Sequence, residues 1–154
     1  MKITKEYLRT RFAYKRKTGE LIWKNHLRKA RYVGTVAGTN AVDGYRRVYL
    51  FKKPYPLHRL VWIFFNGDIP DGLEIDHIDG DKSNNRIENL RIATRNQNMW
   101  NRKAKGYRFK DNRFEVQLRH FGKYIYVGTF KTEDEAKEAY RKKCVELRGE
   151  FTCT

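Results

Sequence analysis

Apolar and polar residues alternate strictly in "RFEVQLR" (113–119), with Phe114, Val116 and Leu118 on one side and Arg113, Glu115, Gln117 and Arg119 on the other. A period of two over seven residues predicts a strand with one buried face. "KYIYVGTF" (123–130) continues as a second strand, Ile125 and Val127 on one face and Tyr124 and Tyr126 on the other. The period then lengthens. Thr132-Glu133-Asp134-Glu135 is a capping box opening a helix whose Ala136, Ala139, Tyr140, Cys144 and Leu147 share a face, and Gly149 closes it. A sheet with a helix behind it leaves its other face available for binding.

The earlier pattern is shorter-ranged. A short helix is expected around Lys5 to Phe12, followed by a hairpin turning at Thr18-Gly19 into the strand-like "ELIWK". Asp43-Gly44 precedes a strand through "YRRVYLF"; a Pro-bracketed turn follows, then a helical apolar run from Leu57 to Phe65 ended by Asn66-Gly67. Between residues 73 and 98 two apolar pieces flank a long polar stretch. One strand ends at Asp76-His77, "DGDKSNNRIENL" makes a loop, "LRIAT" returns as a strand, and Thr94 can cap a helix containing Asn98. "MWNRKAKGY" reads as a helix end and a linker near Ala104 to Gly106. There is no repeat of fixed period and no low-complexity tract.

Charge sharpens this picture. The 154-residue chain carries 34 Lys+Arg against 18 Asp+Glu, a formal +16, and the natural partner of such a field is a polyanion, nucleic acid first. Residues 1–57 hold 15 basic and 3 acidic side chains, whereas residues 58–98 hold 5 and 7. The polar stretch is therefore an acidic island in a basic protein, as a cation site or an ordinary solvated loop would be. No apolar run approaches the roughly 20 residues that span a bilayer, and "MKITKEYLRTRF" has no apolar signal core, so a cytoplasmic protein is expected, without membrane contact. Two cysteines, Cys144 and Cys153, with no CxxC pair support neither a disulfide framework nor a zinc site. Any metal must be held by oxygen or imidazole nitrogen.

Hydrolysis of a phosphodiester needs a base for water and a cation for the developing charge. A hairpin followed by a helix can bring Asp76 and Asn98 together as two hard oxygen donors suited to Mg²⁺. His77, on the opposite face of a regular strand, would be largely neutral at neutral pH and able to accept a proton. Asn84 and Asn85 suit loop-forming positions. His58 lies in an apolar run, open to a structural or an active-site role; His26 and His120 have no supporting neighbours and are assigned nothing.

These residues resemble the HNH endonucleases of the ββα-metal type, particularly the phage and intron homing kind. The shared pieces are "HRLVW" (58–62), "IDHIDGDKSNNRIENLR" (75–91) and "TRNQN" (94–98), with "YKRKTGELIWK", "VGTVAG" and "GYRRVYL" resembling the leader of the phage proteins. The resemblance implies His77 as general base, Asp76 and Asn98 as metal ligands, and Asn89 as the residue that orients the histidine or pins the loop. Where other members have His before the catalytic histidine or as the last ligand, this chain has Asp76 and Asn98, and oxygen donors favour Mg²⁺ or Mn²⁺ over softer metals, with no zinc.

Residues 107–151 resemble the Apetala-2/ethylene-response-factor DNA-binding domain through "YRF", "FEVQLR", "YVGTFKTEDEAKEAYRKK" and "LRGEF". That family lays a three-stranded sheet in the major groove. Here one face collects Arg108, Lys110, Arg113, Glu115, Gln117, Arg119, Tyr124 and Tyr126, residue types that read base edges and phosphates. The tryptophan-rich strand pattern of the plant members is missing, so their base preference does not carry over.

The expected fold is α+β: a basic, β-rich N-terminal extension (1–56), a ββα-metal HNH core (57–103), and a small three-stranded antiparallel sheet packed on one helix (107–154). The expected activity is metal-dependent cleavage of double-stranded DNA, nicking as a monomer or weak dimer. The competing expectation is a sequence-specific DNA-binding regulator with an HNH-like scaffold and no catalysis. An RNA-directed protein is disfavoured by the absence of the stacking motif of RNA-recognition sheets.

Overall fold

Thr4 accepts the Tyr7 amide and so caps the first helix, α1 (Lys5–Arg11), which buries Leu8. In the computed structural model, which describes residues 2–25, 30–102 and 104–152, a hairpin follows: β1 (Phe12–Lys15) pairs antiparallel with β2 (Glu20–Trp23) around the Thr18-Gly19 turn. His26 and Cys153 lie outside the described residues. A second sheet, order β3-β4-β5, is made by β3 (Thr39–Asn40), β4 (Arg46–Leu50) and β5 (Lys53–Pro56).

The prolines do not bracket a turn; Pro54 and Pro56 lie in edge strand β5, where a missing N–H costs no ladder bond. The turn is Phe51-Lys52, both with positive φ (50° and 63°), as a two-residue hairpin turn requires.

Helix α2 (Leu57–Asn66) buries Leu57, His58, Leu60 and Val61. It has no basic residue in its last turn and takes its cations from α1 instead: Lys5 Nζ donates to the Phe65 carbonyl (2.5 Å) and Arg9 Nε to that of Phe64 (3.2 Å). The hairpin β6 (Leu73–His77) and β7 (Leu90–Thr94) then pairs Asp76 with Arg91 and His77 with Leu90. One core joins Leu8, Phe12, Leu21, Val48, Leu57, Leu60, Ile75 and Leu90, so the N-terminal segment and the β6–β7 hairpin share a single apolar interior.

The chain divides into two compact units, Met1–Thr94 and Arg95–Thr154. In the second, α3 (Arg95–Trp100) precedes β8 (Tyr107–Lys110), β9 (Arg113–His120) and β10 (Lys123–Phe130), an antiparallel sheet of order β10-β9-β8. Helix α4 (Glu133–Arg148) packs on it, with Val116, Leu118, Ala136 and Cys144 buried. Both halves of the Thr132–Glu135 capping box are formed. The alternation in β10 breaks at a bulge between Tyr126 and Gly128, where Gly128 rather than Val127 pairs with Val116. Among the described residues no helix is long and apolar enough to cross a membrane.

Candidate active site

Strand β6 delivers Asp76 and His77 to the start of a twelve-residue polar loop, 78–89, and that loop is built from its own side chains. Asn89 is its hub: its Oδ1 accepts the Asp79 amide (3.1 Å), while its Nδ2 donates to Asp79 Oδ1 (2.9 Å) and to the Asn84 carbonyl (2.9 Å). Asn84 Nδ2 donates to the other oxygen of Asp79 (2.6 Å). Asp81 Oδ1 accepts both the amide and the hydroxyl of Ser83 (2.9 and 2.7 Å). Burial pushes the Asp79 carboxyl up, but the Asn84 and Asn89 amides and the Asp81 N–H together hold it below the usual range. The Ser83 donors hold Asp81 low likewise. The bonds of Asn89 all fall within the loop.

The histidine is met by a different asparagine. Asn85, only 3% exposed, faces His77, 4% exposed, with Oδ1 and Nε2 separated by 3.3 Å. The amide is oriented by a second bond, since its Nδ2 donates to the Ser83 carbonyl at 2.9 Å. With Oδ1 thereby turned to the imidazole, Nε2 carries the proton and Nδ1 carries the lone pair. Burial pushes the His77 imidazole below its ordinary value, against the Asn85 bond and the charges of Asp76, Asp79 and Asp81, which raise it. The ring is therefore neutral at neutral pH, the state a base needs.

His58, in the first turn of α2, packs edge-on against His77 with ring centroids 5.0 Å apart, and Tyr45 lies 5.1 Å from His58 and 6.1 Å from His77. Lys82 reaches from the loop over the Tyr45 ring (4.7 Å) and donates to the Asp43 carbonyl (3.0 Å). Burial first, and then the neighbouring His77 and Arg59, hold His58 down at about 3. His58 is thus a neutral wall of the site.

Asp76 is nearly enclosed and paired with its cross-strand neighbour: Arg91 Nε and Nη2 both reach Oδ2, at 3.0 and 2.9 Å. Asn98 lies in α3, in the second unit. Among the described residues no three His, Cys, Asp or Glu side chains cluster as a closed metal cage would need. A hard divalent ion held by one or two protein oxygens, with water and phosphate completing its shell, needs no such cage. The Asp76 carboxylate is a hard oxygen donor of the type that such an ion takes.

In the second unit, cross-strand pairing places the expected contact residues on one face of the sheet: Arg108 beside Glu115, Lys110 beside Arg113, Gln117 beside Tyr126, Arg119 beside Tyr124. Tyr124 and Tyr126 are 70% and 62% exposed, and Arg119 lies over the Tyr124 ring at 5.9 Å. Arg108 is engaged by Glu115 through Nη2–Oε1 (2.9 Å) and Nε–Oε2 (3.2 Å), so its charge is half-spent within the sheet. His120 stacks on Trp100 at 4.7 Å, an aromatic packing role.

Residues 55–100 match the HNH endonuclease family model. Over these residues the chain is similar to HNH endonuclease domains. An uncharacterised HNH endonuclease of Acanthamoeba polyphaga mimivirus is 34% identical over 118 residues, 67% of this chain and 63% of that protein. The DNA endonuclease I-HmuI of Bacillus phage SP01 is 44% identical over 68 residues, 42% of this chain and 39% of its own length. A solved structure of DNA binding and cleavage by the HNH homing endonuclease I-HmuI aligns at a TM-score of 0.45 with 35% identity, covering 57% of this chain and 49% of that one. The chain thus spans less than two thirds of the length of either relative.

The HNH match ends at Trp100, so the sheet of the second unit lies outside it. Sequence reasoning missed the Asn85–His77 contact. The signal available was the Asn84-Asn85 doublet itself, in which one amide suffices to brace the loop and the second is left over.

Proposed function

We propose that this protein is a divalent-metal-dependent endonuclease that hydrolyses phosphodiester bonds in duplex DNA, with His77 as general base. The observation that carries the reading is the buried, neutral His77 imidazole, held by Asn85 with Nδ1 as the basic nitrogen, next to Asp76 in an HNH domain. His77 Nδ1 takes a proton from the attacking water. Asp76, anchored by Arg91 at Oδ2, would offer its carboxylate to the cation, with Asn98 as the second protein oxygen. Bound by these residues, Mg²⁺, with Mn²⁺ as substitute, would supply neutralisation of the charge on the phosphate and the leaving 3′ oxygen. Asn89 acts through the loop it pins. One such site cuts one strand, so a monomer nicks.

The second-unit sheet, in the manner of an Apetala-2/ethylene-response-factor domain, binds the duplex through Lys110, Arg113, Gln117, Arg119, Tyr124 and Tyr126, with Arg108 contributing less because Glu115 holds it. Supporting this are the single face these residues share and the chain's +16 charge. The work belongs in the cytoplasm of a bacterium or infected host.

The test is nicking of supercoiled plasmid with Mg²⁺ by the native protein and His77→Ala. Loss of about 100- to 10,000-fold in rate is expected. Equal nicking by both proteins excludes His77 as base, and no nicking by either with Mg²⁺ or Mn²⁺ returns the protein to the class of DNA-binding regulators.

A further inference from the structure

The loop that presents Asn85 does not stand alone. The N-terminal hairpin β1–β2, outside the HNH segment, grips its backbone at three successive residues. Gly19, buried at the hairpin turn with φ +72°, lies so close that a Cβ there would overlap the Asn85 carbonyl carbon and the Arg86 amide nitrogen and stand 2.7 Å from the Asn85 carbonyl oxygen. Two residues on, the Ile87 amide donates to Tyr14 Oη at 2.9 Å. Arg16 adds an exposed ion pair to Glu88 at 2.8 Å. Tyr14 is itself wedged against Phe64 and Phe65 of α2, with ring centroids at 6.3 and 4.8 Å, so the grip is tied to the core.

We propose that Gly19 and Tyr14 are positioning residues for the base: the hairpin turn fixes the Asn85–Ile87 backbone, and through it the Asn85 amide that selects the Nε2–H tautomer of His77. The inference rests on the reading of His77 as the base, but its first consequence is a property of the free protein. Backbone displaced by even a few tenths of an ångström at Asn85 lengthens a bond already 3.3 Å long, and hydrogen bonds weaken quickly beyond that distance. A residue 58 positions upstream of the histidine in sequence thereby determines which of its nitrogens is basic. Nothing but glycine fits at the turn, because both the positive φ and the contact with peptide atoms exclude a side chain.

The experiment is long-range ¹H–¹⁵N correlation of the His77 ring in the full-length protein, with its neutral form populated, together with the kinetics of plasmid nicking. Native protein should show the Nε2–H tautomer. Asn85→Leu removes the acceptor and should lower the Nε2–H to Nδ1–H ratio by about fivefold, the scale of one net hydrogen bond. Gly19→Ala should do the same with Asn85 intact. Tyr14→Phe, which keeps the ring packing and removes only the acceptor for Ile87, should shift the ratio in the same direction, and it covers the case in which Gly19→Ala fails to fold. Lys17→Ala, in the same turn but exposed, should leave the ratio alone. In the folded variants kcat should fall roughly five- to tenfold with KM for DNA unchanged. An unshifted ratio in both Gly19→Ala and Tyr14→Phe overturns the brace; an unshifted ratio in Asn85→Leu overturns the tautomer assignment. If His77→Ala nicks as fast as native protein, the base reading fails while the ring spectra still decide the brace.

Discussion

Acid should destabilise the first unit well before its carboxylates are protonated, and His58 sets the size of the effect. The unfolded chain binds a proton at His58 near its ordinary value of 6.5, whereas the folded protein refuses it until about 3. Between those values the unfolded state holds more protons, so stability falls as pH falls, with a limiting slope of about 1.4 kcal/mol per pH unit for one group. Integrating from about pH 7 to pH 5 gives a loss of roughly 2 kcal/mol from His58 alone, because most of that interval lies below the unfolded value and all of it above the folded one. His77 is depressed by burial as well and adds in the same direction. Asp79 and Asp81 are depressed carboxylates, whose contribution is lost only at lower pH, below about 4. The assay is urea unfolding at a series of pH values, followed by the amide resonances of Val48 and Ile75, which report the core of this unit alone. His58→Phe keeps an aromatic ring against Tyr45 and His77 and should flatten the pH dependence by about 2 kcal/mol over that interval. Equal slopes in the native and variant proteins would refute the argument, since His58 would then be protonated in the fold or exchanging with solvent.

Three further outcomes follow from the pairings. Arg91→Met leaves Asp76 buried without its guanidinium and should cost about 3 kcal/mol in the urea midpoint of the first unit, with Asp76→Leu in the same chain recovering part of the loss. Asn89→Ala removes the loop's central amide, and raised hydrogen exchange at the Asp79 amide with a loss of about 1–3 kcal/mol should result. In filter-binding titrations of duplex DNA against salt, Arg119→Ala should reduce the log–log slope by about 1, and Arg108→Ala by clearly less, because Glu115 already neutralises that guanidinium.

Much of the fold was legible because its signals are local. The alternation of 113–119 became β9, the Thr132–Glu135 box became the start of α4, and Asp76-His77 closed β6 as the apolar run implied. What failed was read against local rules that tertiary position overrode. Pro54 and Pro56 signal a turn in any window of sequence, and only the knowledge that β5 is an edge strand makes them strand residues. Val127 belongs to a period of two until the bulge at Gly128 breaks it. His58 could not be resolved from its apolar run, because its environment is made by Tyr45 and His77 from elsewhere in the chain. The Gly19 contact is the extreme case: a turn glycine is expected on backbone grounds alone, and its second constraint comes from a peptide 66 residues away.

The density of asparagine in the loop follows from what the position asks of a side chain. Asn89 must accept from the Asp79 amide and donate to the Asp79 carboxylate and the Asn84 carbonyl at once; Asn85 must accept from His77 while donating to Ser83. An ionised aspartate has no donor and could perform only half of either task. It would also add charge where Asp76, Asp79 and Asp81 already pull the His77 value upward against burial. Each asparagine made an aspartate would push His77 toward the protonated ring, which has no lone pair with which to take a proton from water. Neutral amides let the loop be fully bonded while burial keeps control of the imidazole, so the residue choice that folds the loop is the same choice that keeps its histidine basic.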